Sequence, residues 1–173
     1  MAAIIASLVG LLALLVAGYT AHIQQQQVRA QVWPRLLIGH SDVKGQYEMT
    51  VLNQGVGPAI VQSVQVLVSG KPVSDWDALE KLFGFKPASP GVVSTLNKMV
   101  LTPGEHLHWI QFRSAADIDA FTADWGRFHV EARVCYSSTL DESWMVVFHP
   151  GELAIPREVS SCPKLPEKDQ FQD

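Results

Sequence analysis

Apolar and polar positions follow three different patterns along the chain. The first pattern is a continuous apolar run. No Lys, Arg, Asp or Glu occurs from Met1 to Val28, and residues 2–19 are broken only by the small residues Ser7, Gly10 and Gly18. Extended to Ile23, the run covers roughly 33 Å at about 1.5 Å per residue, enough to cross a hydrocarbon core of about 30 Å. In lipid every backbone N–H and C=O must be bonded within the segment, so the pattern predicts a transmembrane helix over 2–23. Tyr19 and His22 fall at its interfacial end. Residues 24–33 are rich in helix formers and lack Gly and Pro, which predicts a helical stalk ending at Pro34.

The second pattern is alternation. Residues 33–39, 47–52, 59–68, 92–101, 106–113, 127–137 and 143–149 read as strands, several with period-two burial. Turn formers separate them: Asn53 to Pro58, Ser69 to Pro72, Thr102 to Glu105 and Ser138 to Glu142. Two stretches have helical spacing instead. Residues 74–84 carry a Trp76, Leu79, Leu82, Phe83 stripe, with Ser74 as N-cap and Gly84 as the terminating residue. Residues 115–125 form the other. The third pattern begins after Pro150, where periodicity fades. Three prolines and the polar stretch 167–173 predict a loosely ordered tail over 156–173.

These patterns predict a mainly β fold. A transmembrane α-helix leads into an immunoglobulin-like antiparallel β-sandwich over 34–155, with two short helices in its connections. A barrel is the alternative. The 173 residues allow one domain plus attachments. The charged share is 17% and the formal net charge is −4, which excludes a general nucleic-acid binder. A cleaved signal peptide is the rival reading of the apolar run. The amino terminus has no basic residue, however, and the best cut site, Val16-Ala17-Gly18, is mediocre.

The turn Asn53-x-Gly55-x-Gly57-Pro58-Ala59, followed by an Ile/Val-rich strand and Gly70-Lys71, resembles a group of uncharacterised bacterial proteins. So does the strand Val134-Cys135-Tyr136-Ser137-Ser138 with Trp144 beyond it. Those proteins have one N-terminal membrane helix and a small extracytoplasmic β-sandwich. The resemblance covers residues 30–150 and implies fold and location, not an activity.

Candidate chemistry is sparse. Cys135 and Cys162 are placed to form a disulfide tying the tail to the sheet, and such a bond persists only in an oxidising compartment. That argues for an inner-membrane, single-pass protein with its domain in the periplasm. Arg29 and Arg35, the basic residues flanking the span, argue for the cytoplasmic side. His106 and His108 share one strand face at a spacing that can bind metal if a third ligand approaches. No H-E-x-x-H or C-x-x-C accompanies them, and no metal, cofactor or catalytic residue is assigned. Trp76, Leu79, Phe83 and Phe85 form the candidate interaction patch. The expected function is a non-enzymatic, membrane-anchored interaction or accessory module that binds another envelope protein. The alternatives are a ligand-sensing module with a site near the Trp76 helix and a small metal-dependent hydrolase. Oligomeric state is left open.

Overall fold

The structure is a computed structural model and describes residues 2–43, 45–84 and 92–172. Helix α1 (Ala2–Gln31) is one unbroken helix of 30 residues, none of them buried. It is long and apolar enough to cross a membrane. Its two aliphatic hydroxyls, Ser7 and Thr20, donate to the carbonyls of Ala3 (2.9 Å) and Val16 (2.8 Å). Both hydroxyl hydrogens are thus bonded within the helix. The predicted stalk is continuous with the predicted span, and the helix stops three residues before Pro34.

Beyond α1 the chain forms β1 (Leu36–Val43), β2 (Gln46–Asn53), β3 (Ala59–Val68) and β4 (Lys71–Val73). Helix α2 (Trp76–Phe83) follows, then β5 (Val92–Val93), β6 (Val100–Leu101) and β7 (His106–Phe112). Helix α3 (Ala115–Arg127), β8 (Val130–Ser137), β9 (Ser143–Phe148) and β10 (Arg157–Val159) complete the order. The strands make two antiparallel sheets. One runs β1-β2-β7-β5 and the other β10-β9-β8-β3-β4, with β6 also pairing β3. The fold is mainly β, as the alternation predicts.

The core lies between the sheets. Met49, Val51 and Trp109 of the first meet Val64, Val66, Val134 and Val146 of the second, all fully buried. Along β2 every second residue from Tyr47 to Asn53 is buried, the period of a half-buried strand. In α3, Ile118, Phe121 and Trp125 fall on one stripe and are buried.

Strand direction gives the domain a near end, where α1 joins, and a far end. β1 leaves the junction at Leu36, so the 53–58, 102–105 and 138–142 turns lie at the near end. The β1–β2 turn, α3 and the 149–156 connection lie at the far end.

Three expectations are corrected. Residues 92–101 are not one strand but two short ones in different sheets. Leu96 turns into the core between them, and Lys98 takes a positive φ of 61° to complete the crossover. The strand predicted from residue 127 begins at Val130, because α3 continues to Arg127. The tail is not loose. It adds β10, crosses the outer face of the larger sheet and ends with Phe171 fully buried. The backbone N–H of Phe171 donates to Val64 O (2.8 Å), and that of Gln172 donates to Ser74 O (2.6 Å). The segment thus occupies the edge of β3 between its pairings with β6 and β4.

Candidate functional site

The predicted interaction patch is the first feature to be relocated. Trp76, Leu79 and Phe83 are 7%, 1% and 9% exposed, so they are core residues and not a docking surface. Phe85 lies outside the described residues. Helix α2 is fixed at both ends. The Asp75 carboxylate, rather than Ser74, caps it by accepting from Ala78 N (2.7 Å), while Ser74 Oγ donates to Asp75 (2.7 Å). The Ser74 hydrogen bond, followed by that from Ala78, holds the Asp75 carboxyl below its ordinary range. Gly84 closes the helix at φ 67°. Trp76, Leu79 and Phe83 of the stripe face inward while Leu82 stays exposed, and the ring of Phe171 meets Trp76 edge-on at 4.9 Å and Trp109 at 6.0 Å. A lone aromatic inside a polar tail was the available signal for this partner.

Cys135 and Cys162 form a disulfide across 27 residues of chain. Cys135 sits fully buried on the outer side of β8, beneath the crossing tail. Gln65 Nε2 donates to Asp169 O (3.4 Å) further along the same path.

The histidines do not assemble a site. His106 and His108 are exposed on β7, and His108 Nδ1 lies 3.3 Å from Glu48 on the neighbouring strand. Among the described residues no group of three His, Cys, Asp or Glu side chains is placed to hold a metal ion. A cleft of about 210 Å³ near α3 is lined by His40, Asp42, Thr122 and Trp125. Its aromatic floor of Tyr47, Trp125 and Phe148 is only 2–3% exposed. A larger groove of about 600 Å³ lies on the outer face of β8, β9 and β10. Its lining is mixed: Met145, Val147, Val159, Leu153 and Ile155, the last two at 76% and 58% exposure, alternate with Glu131, Arg133, His149, Glu152 and Arg157.

The most elaborate polar construction is the junction between α1 and the domain. Asn53 is fully buried and all its side-chain capacity is used. Its Oδ1 accepts from Arg35 N (3.1 Å) and Gly55 N (3.0 Å), and its Nδ2 donates to Gly57 O (2.8 Å) and Leu101 O (3.0 Å). Trp33 O accepts from Val56 N (2.9 Å) and Gly57 N (3.2 Å). Neither Gly55 nor Gly57 takes the positive φ that turn glycines often supply. They supply room instead. A Cβ on Gly55 would lie 2.6 Å from Pro34 Cα, and one on Gly57 would lie 2.6 Å from Val32 Cα and collide with the Val32 carbonyl. The 53–58 turn is thus a cradle for residues 32–35.

Two further contacts lock the junction. The buried Tyr136 hydroxyl accepts from Leu36 N (3.2 Å), and burial pushes its pKa up to about 12. Arg29 on α1 pairs with Glu142 in the β8–β9 turn (3.3 Å). Beside the cradle, Glu105 accepts from the backbone and hydroxyl of Thr102 (2.7 and 2.9 Å), which lowers its pKa.

Compared with protein-family models, curated proteins and solved structures, the chain matches none.

Proposed function

We propose that the protein is a membrane-anchored interaction module, an immunoglobulin-like domain held at a fixed angle to its anchor so that it meets another envelope protein. The cradle at residues 32–35 carries this reading. A tethering linker needs only length and flexibility. Here a saturated buried asparagine and two sterically required glycines define orientation instead. The partner-facing surface in this proposal is the groove on β8, β9 and β10, where Leu153 and Ile155 stand exposed within the mixed lining.

The proposed location is the oxidising side of an inner membrane. The Cys135–Cys162 disulfide supports it, because cytosolic thiols are kept reduced. Arg29 and Arg35 point the other way under the positive-inside rule. A membrane-impermeant maleimide, applied to intact cells before and after mild reduction, distinguishes the two. Labelling only after reduction supports the oxidising side. Labelling only on lysis, without reductant, overturns it.

The interaction reading is tested with a photo-cross-linking residue at Leu153 in native membranes. The expected result is a discrete protein adduct that is absent when the residue is placed at Gln46. No adduct from Leu153, Ile155 or general cross-linking of the membranes sinks the reading.

A further inference from the structure

The near end of the domain carries apolar side chains that the fold leaves uncovered. Val56 in the cradle turn is 60% exposed, Leu140 in the β8–β9 turn is 43% exposed, and Trp33 is 40% exposed. All three surround the point where α1 leaves the domain. The Arg35 guanidinium stands 5.9 Å over the Trp33 ring, an arginine–tryptophan pair suited to a headgroup layer.

Helix geometry says what they meet. From Ile23, the end of the apolar run, to the end of α1 is about 12 Å at about 1.5 Å per residue. The headgroup layer fills roughly 5–8 Å of that on each side of a bilayer. The β8–β9 turn reaches down alongside the helix, since Glu142 meets Arg29, about 4.5 Å closer to the membrane than Val32 at about 1.5 Å per residue. Leu140 lies in that turn, and an ordinary helix tilt of about 20° lowers one side of the domain further.

We infer that the domain seats on the bilayer that carries α1, with Leu140, Val56 and Trp33 entering the headgroup layer. The seat is apolar rather than electrostatic. Asp141 and Glu105 face the same end as Arg35, and Arg29 is paired with Glu142. The inference rests on α1 being a membrane anchor. Given that anchor, it adds that the domain lies against the surface and presents its side and far end to partners.

The test uses the full chain, methyl-labelled at Leu and Val, in phosphatidylcholine nanodiscs. Acyl-chain nitroxide lipid should abolish the signals of Leu11 to Leu15, which reports the anchor. Headgroup nitroxide lipid should abolish the signals of Leu140 and Val56 and the indole N–H signal of Trp33. It should spare Val43 and Leu153 at the far end, which are more open to solvent than any of the three. In the Leu140→Asp, Val56→Asp double variant the Trp33 signal should survive. If the α1 signals are lost but Leu140 and Val56 behave like Val43 and Leu153, the seat is refuted and the anchor stands. If the α1 signals persist with acyl-chain nitroxide, both fall.

Discussion

The two ends of the chain are fastened to the same domain by opposite chemistry. At the amino-terminal junction the fastening is polar and steric. Asn53 spends four hydrogen bonds, and two glycines make room for the backbone they hold. At the carboxyl end it is covalent and apolar, with a disulfide at Cys162 and an aromatic ring buried at Phe171. Each suits a different task. Hydrogen bonds are directional, so the junction defines an angle. Apolar burial is non-directional and scales with area, so the tail contributes stability.

The sharpest way to break this contrast is Phe171→Ala. Removing a fully buried ring that touches Trp76 and Trp109 should cost about 4 kcal/mol. The loss should appear as a global fall in the urea midpoint of the full chain in detergent. A change confined to the last few residues would show that the tail is only an attachment. Cys162→Ser comes next, at about 3 kcal/mol for the loop it opens. It should lower the same midpoint and leave amide exchange at residues 32–36 unchanged.

Asn53→Ala should cost a further notch less, about 2–3 kcal/mol, by orphaning buried partners. Its signature is different: exchange at Arg35, Gly55 and Gly57 should accelerate far more than exchange in β8 or β9. Uniform acceleration across the sheets would mean that the junction is ordinary core. Tyr136→Phe removes the acceptor for one buried N–H and should cost about 1–2 kcal/mol, again centred on Leu36.

Acid gives the smallest effect and touches both fastenings. Asp75 beside the tail and Glu105 beside the cradle both have lowered pKa values. A depressed carboxyl stabilises the fold above its unfolded pKa and loses that contribution as pH falls through the folded value. Both groups are only partly buried and remain open to solvent screening, so the loss should be slight. It should set in below about pH 4. Asp75→Asn and Glu105→Gln should each flatten part of the acid limb.

The contrast also explains what the sequence disclosed. The long helix, the alternating strands and the Cys135–Cys162 pairing were legible because each rests on period, length or residue type. The Asn53 turn was visible as a turn, but its use was not. A glycine required by a neighbouring backbone looks identical to one required by its own φ. The Trp76 stripe was read correctly as one face of a helix and wrongly as uncovered, because its cover is Phe171, a single aromatic among polar neighbours. The split at 92–101 was hidden for a similar reason. Nothing local in Leu96 says that it turns into the core while the strands on either side join different sheets.

The buried tail also sets a clock on synthesis. Asp169 meets Gln65 across a sequence separation of 104 residues. At about 5–20 residues per second, β3 waits roughly 5–20 s for the segment that completes its edge. During that interval the membrane helix has long been made, while the slot beneath α2 stands open. A chaperone able to shield that slot would have its work confined to this window, and a ribosome stalled shortly before Phe171 would leave a nearly complete domain with its aromatic core uncapped.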